Sequence, residues 1–268
     1  MVRKLMIILV MLCVVAAGTT TAAQGTRMAD KEVKKLMETI EKDIDLFKKA
    51  MGSEYRKAVL KSPSGEVDIE AYLKNLKDLA KKMKGRFDSK NAANGEVLAF
   101  LKYAQPIQAR HDRGESLFGA EKEWPRLSGD MERLGAEYGI RWKSSPDYWK
   151  ASRLNDKELK QVLESFQKSI GNFRKDLDKA AKKAEVPKAQ REKVLDAAKR
   201  MEDVAKDVKK AVDKGTDASG ALALLKSSVE QAKSFIAQNN LEVSVGSSWA
   251  DVERNWGKVR SGFNLSEF

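Results

Sequence analysis

The chain has 268 residues, with 51 lysines and arginines against 39 aspartates and glutamates, one cysteine and one histidine. One cysteine excludes an intrachain disulfide and a cysteine-held cluster, and one histidine leaves the usual zinc and di-iron motifs short of ligands. The formal charge of +12 favours anionic surfaces in general and does not choose among nucleic acid, anionic lipid and acidic polymer.

Residues 1–23 have the three parts of a secretory signal peptide. Arg3 and Lys4 form a basic start, Leu5 to Ala17 an apolar run, and small residues lead to Ala23. The run is shorter than the ~20 apolar residues a spanning helix needs, so a retained anchor is the weaker reading. Cys13 lies inside the run and leaves with it. The 245 residues that follow carry a charge of +10 and no cysteine, and are enough for one or two domains held by their cores alone.

The first helix is predicted over residues 30–51, where Val33, Met37, Ile40, Ile44, Phe47 and Met51 are spaced four and three apart, a heptad seam. After the breaker "KSPSGEVD", a second seam runs through Ile69, Leu73, Leu76, Ala80, Met83 and Phe87. Within it, "KKMKGR" sets Lys81, Lys82, Lys84 and Arg86 together with no acid until Asp88, a candidate anion-binding footprint. No aromatic ladder accompanies it, which disfavours nucleic acid. A third helix takes in Val97, Phe100, Ala104 and Ile107, and Pro106 and Gly114 are expected to kink or end it early. His111 then falls in a polar loop, "QARHDRGES", rather than facing inward as a ligand. The fourth helix carries Trp124, Leu127, Met131, Leu134 and Tyr138.

The pattern then returns. Leu159, Leu163, Phe166, Ile170, Phe173 and Leu177 repeat the first seam 126 positions on, and three further seams follow at an offset of 125, ending with Trp249, Val252, Trp256, Val259 and Phe263. The expected architecture is therefore all-α: two tandem four-helix bundles from an internal duplication, over residues 24–141 and 155–268, joined by a linker over 142–154. One fused array of eight helices is the alternative. Shallow left-handed packing follows from the heptad period.

The search for chemistry returns little. There is no Gly-x-Ser-x-Gly, "GKVRSG" at 257–262 follows no strand, and Asp43 and Asp45, two apart on a helix, point to different faces. No catalytic residue, metal ligand or cofactor is expected. The architecture resembles the haem-binding four-helix cytochromes, but with neither a Cys-x-x-Cys-His segment nor a histidine in a fourth helix it implies no haem. Acid–base pairs four apart, such as Glu38 with Lys42, Asp45 with Lys49, Glu164 with Lys168, Asp178 with Lys182 and Glu202 with Lys206, suggest solvated helix faces. Trp124, Trp249 and Trp256 sit on seams and read as core. Trp142, Tyr148 and Trp149 belong to no heptad, and either pack between the bundles or form a partner-binding patch.

The expected function is that of an exported, non-enzymatic helical protein acting through protein contacts, as an adaptor, accessory subunit or scaffold in the cell envelope, in the periplasm or outside the cell. The alternative is a binder of anionic lipid headgroups or acidic polymers. The oligomeric state is left open.

Overall fold

The structure, a computed structural model, describes residues 27–52, 58–62, 65–90 and 92–265. The expected leader over residues 1–23 and the expected cut after Ala23 lie outside these residues. Eight α-helices account for most of them: α1 (Asp30–Ala50), α2 (Ile69–Lys90), α3 (Asn94–Asp112), α4 (Trp124–Glu137), α5 (Asp156–Lys183), α6 (Lys188–Lys214), α7 (Ser219–Gln238) and α8 (Glu242–Gly262). None of the described helices is long and apolar enough to cross a membrane.

The seams explain which face each helix buries. Val33, Met37, Ile40, Ile44 and Phe47 of α1 are buried, as are Leu159, Leu163, Phe166, Ile170, Phe173 and Leu177 of α5. Helix ends follow local chemistry. Asn155 caps α5, accepting from the Glu158 N–H at 2.8 Å while Glu158 accepts from the Asn155 N–H at 2.9 Å, a reciprocal capping box. Gly215 ends α6 at φ +63°, a left-handed conformation that a residue without Cβ adopts at little cost.

Helix α1 lies against α2 and α4, with α3 against both α2 and α4; α5 lies against α6 and α8, with α7 against α6. The buried apolar residues fall into two clusters, one running from Val33 to Trp149 and the other from Leu159 to Phe263. Each has a Phe–Trp pair at its centre. Phe47 and Trp124 rings lie 5.4 Å apart, and Phe173 and Trp249, 126 and 125 positions on, 5.0 Å apart. Trp256 stacks on Phe166 at 5.9 Å, so all three seam tryptophans are core.

Three sequence expectations change. Helix α3 runs through Pro106 to Asp112, because proline removes one N–H from the ladder without forcing the chain out of a helix whose Ala104 and Ile107 are already buried. His111 is thus in the last helical turn, with its side chain 43% exposed. The breaker before α2 holds a hairpin, β1 (Val59–Ser62) antiparallel to β2 (Gly65–Asp68), with Leu60 buried in the first cluster. Finally, only some charges pair along their own helix. Lys182 reaches Asp178 at 2.5 Å and Lys206 reaches Glu202 at 3.2 Å, but Glu38, Asp45 and Glu164 bridge to a neighbouring helix through Lys84, Lys77 and Lys209. These residues flank the seam, where the adjacent helix is as near as the next turn. The Glu38–Lys84 bridge has a counterpart in Glu164–Lys209, 126 and 125 positions on, as Lys34–Asp88 has in Lys160–Asp213, each of the latter two 2.8 Å long.

Candidate functional site

The two apolar clusters meet at a polar junction built by the starts of α1 and α5. Just before each helix the sequence places an arginine three residues ahead of an aspartate: Arg27 and Asp30, then Arg153 and Asp156. Each arginine crosses to the other pair. Arg27 donates through Nη1 to Asp156 Oδ1 and through Nη2 to the Leu154 carbonyl at 2.7 Å. Arg153 donates through Nη1 to Asp30 Oδ1 at 2.7 Å and through Nη2 to the Met28 carbonyl at 2.9 Å. The aspartates also exchange caps. The Asp30 N–H donates to Asp156 Oδ2 and the Asp156 N–H to Asp30 Oδ2, both at 3.0 Å.

Every contact in this set has its counterpart 126 positions away, so residue i meets j and j meets i, the relation that defines an isologous contact. The arginines are almost wholly enclosed, at 6% and 2% exposed for Arg27 and Arg153, and the aspartates less so, at 15% for Asp30 and 25% for Asp156. At a helix start, each aspartate also offers negative charge to unsatisfied N–H groups and the positive end of a dipole.

Around this centre the symmetry breaks. Glu137, at the end of α4, accepts from the Met28 N–H at 3.0 Å and stands 3.9 Å from Arg153 Nε. Beyond the last turn of α8, Asn264 Nδ2 donates to the carbonyls of Ala136 and Glu137 at 3.0 and 2.9 Å. Its Oδ1 lies 3.2 Å from where a Cβ on Gly139 would stand. Gly139 has φ +71°, so this position suits glycine on conformational and on spatial grounds.

Burial and pairing pull the acids in opposite directions. At Asp156 burial works against ionisation, but the Asp30 N–H, Arg27 and Arg153 outweigh it and hold the carboxyl below its ordinary range. At Glu137 burial wins over the Met28 N–H and both arginines, and the carboxyl is pushed up. Arg27 is lowered by burial and by Arg153 beside it.

The residues singled out from the sequence lie elsewhere. Trp142 and Trp149 do not form a partner-binding patch, since they are 1% and 6% exposed and belong to the first apolar cluster. The reason is that their polar edges find protein partners, for Trp142 inside the core and for Trp149 at an exposed serine. Trp142 Nε1 donates to Ser128 Oγ at 3.1 Å, Ser128 donates to Gln108 Oε1 at 2.7 Å, and Trp149 Nε1 donates to Ser144 Oγ at 3.0 Å. Of the three, Tyr148 alone is exposed, on a short 3-10 turn at Pro146–Tyr148. The "KKMKGR" footprint is also reduced. Lys84 pairs with Glu38 at 3.7 Å and Arg86 with Glu96 at 3.8 Å, leaving Lys81 and Lys82 exposed on the helix surface.

Among the described residues no group of three or more His, Cys, Asp or Glu side chains could hold a metal ion. The junction leaves no mark in the apolar seams; its signal in the sequence is the polar pair of Arg-x-x-Asp segments at their upstream ends. Its arginines direct both Nη groups to carboxylates and carbonyls within the chain, while each buried Nε–H has no hydrogen-bond partner among the described residues; what the site does with these contacts is hold two elements together. No family model, no curated protein and no solved structure matches the chain.

Proposed function

We propose that the chain is an internally duplicated, exported, non-enzymatic module that acts through protein contacts as an adaptor, accessory subunit or scaffold of the cell envelope. In this reading residues 24–141 and 155–268 are two four-helix bundles and residues 142–154 connect them. The reciprocal Arg27–Asp156 and Arg153–Asp30 junction carries the proposal. A connection that is buried, charged and isologous fixes the mutual orientation of its two sides, as subunit interfaces do, and a scaffold needs two surfaces at a set spacing. Export rests on the leader-like residues 1–23.

The test is to immobilise the chain beginning at Gln24 and challenge it with the envelope fraction of its own cells, in parallel with vesicles of anionic lipid over a salt series. The expected result is retention of a protein partner by the parent and a loss of at least tenfold on Arg153→Ala, with helical content kept. Retention of anionic vesicles alone, with a steep salt dependence that Lys81→Gln and Lys82→Gln flatten, would replace this function by anionic-surface binding through the α2 face.

A further inference from the structure

Helix α1 and the start of α4 leave between them an open cleft of about 520 Å³ on the first cluster, and its polar residues do not pack as a merely structural surface would. Asp43 lines it, 3% exposed, and neither carboxylate oxygen receives a hydrogen bond from the described residues. Arg126 Nη2 comes within 3.0 Å of Oδ1 without hydrogen-bond alignment, from a side chain that is itself 64% exposed. Burial pushes the Asp43 carboxyl up, Arg126 draws it back, and the neighbouring Asp130 pushes it up again. A desolvated acid lacking donors is costly wherever packing alone decides the residue. The corresponding position in the second half shows the inexpensive solution: Ser169, whose hydroxyl donates to the Phe166 carbonyl at 2.7 Å. Arg126 and Asp130 likewise correspond to Asp251 and Asn255, so this constellation belongs to one half only.

Charges of both signs line the cleft. Lys49, Lys122 and Arg126 outnumber Glu123 around Asp43, and Leu46 adds an exposed apolar wall. A simple anion would meet the Asp43 charge, and a simple cation would meet the three basic side chains. A molecule with both signs satisfies both, since an ionised carboxylate accepts only and a lysine ammonium donates only. We infer that this cleft binds a small zwitterion, an amino acid or short peptide, whose ammonium group takes the place of the exposed Arg126 on Asp43 and whose carboxylate is held by Lys49 and Lys122. The volume lies in the range of small-molecule sites. This binding is independent of the scaffold function, whose residues lie at the junction.

The test is an NMR titration of the full chain, without its leader, with glycyl-leucine, N-acetyl-leucine and leucinamide, which carry both charges, the carboxylate alone and the ammonium alone. Glycyl-leucine is expected to give saturable shifts at the amides of Asp43, Lys49 and Lys122, with each single-charge probe at least tenfold weaker. Asp43→Asn and Asp43→Ser, the latter copying residue 169, should weaken glycyl-leucine at least tenfold while thermal stability is kept or raised. Absence of saturable shifts with glycyl-leucine at ~20 mM, where a site worth about 4 kcal/mol would be filled, overturns the inference. So does equal binding of N-acetyl-leucine, which would mark a basic patch for anions, or undiminished binding in either folded Asp43 variant.

Discussion

Arg153 shows how much one side chain holds at the junction. Its guanidinium serves Asp30 and the Met28 carbonyl, lies near Glu137, and sits 5.8 Å from the Phe87 ring centroid. Removing one partner of a buried ionic set strands the others, which typically costs ~3–5 kcal/mol. Arg153→Ala is therefore expected to lower the urea unfolding free energy by about that amount, whereas Arg153→Met with Asp30→Asn in the same chain should cost less than the two single losses combined. The pH dependence separates the two junction acids. Asp156 is depressed, so it adds stability above its unfolded pKa, ~3.9, and that contribution is lost as pH falls through the still lower folded value. Glu137 is raised, so its contribution is present below its unfolded pKa, ~4.3, and is lost as pH rises through the folded value. Urea unfolding across pH should find Asp156→Asn less stable than the parent at pH 7 by about 1–3 kcal/mol, with the gap closing in strong acid. Glu137→Gln, which keeps an acceptor for Met28, should be at least as stable as the parent at pH 7 and lose any advantage near pH 4.

At the scale of elements, the apolar seams were the legible part. Val33 to Phe47, Ile69 to Phe87 and Leu159 to Leu177 face inward as their spacing requires, because burying a stripe every three or four residues leaves a helix few alternatives. Phe173→Ala should accordingly cost about 3–5 kcal/mol in thermal or urea unfolding. What the seams could not report was anything decided by polar partners. The burial of Trp142 depends on Ser128 and Gln108, fourteen and thirty-four positions upstream, and no local pattern announces that hydroxyl and amide. The hairpin leaves little trace in the sequence because only four residues a side are paired and, among its residues whose burial is described, Leu60 alone is buried. Helix α3 outlasted Pro106 because its Leu101, Ala104 and Ile107 were anchored in the core on both sides of the proline. The linker tryptophans can be separated from their neighbour by experiment. Trp142→Ala is expected to cost ~3–5 kcal/mol, and Tyr148→Ala, at an exposed position, to stay within about 0.5 kcal/mol of the parent.

For the whole molecule, two separate apolar clusters pose the question of what makes them one body. The apolar residues do not answer it, because each cluster closes on itself. The connections between them are polar: the exchanged arginines and aspartates, the Asn264 amide on the end of α4, and the Ser152 and Ser261 hydroxyls 3.3 Å apart. Such contacts are directional, and they fix orientation better than apolar contacts of the same area. The junction is therefore expected to transmit the orientation of one half to the other, and its loss to free them without melting either. The most direct test is backbone 15N relaxation on the chain from Gln24, comparing helices α1–α4 with α5–α8. The parent should show one rotational correlation time for both sets, and the double variant Arg27→Ala, Arg153→Ala two shorter, unequal times with all eight helices retained. Two independent times in the parent, or one shared time in the double variant, would contradict a lock made by Arg27, Asp30, Arg153 and Asp156.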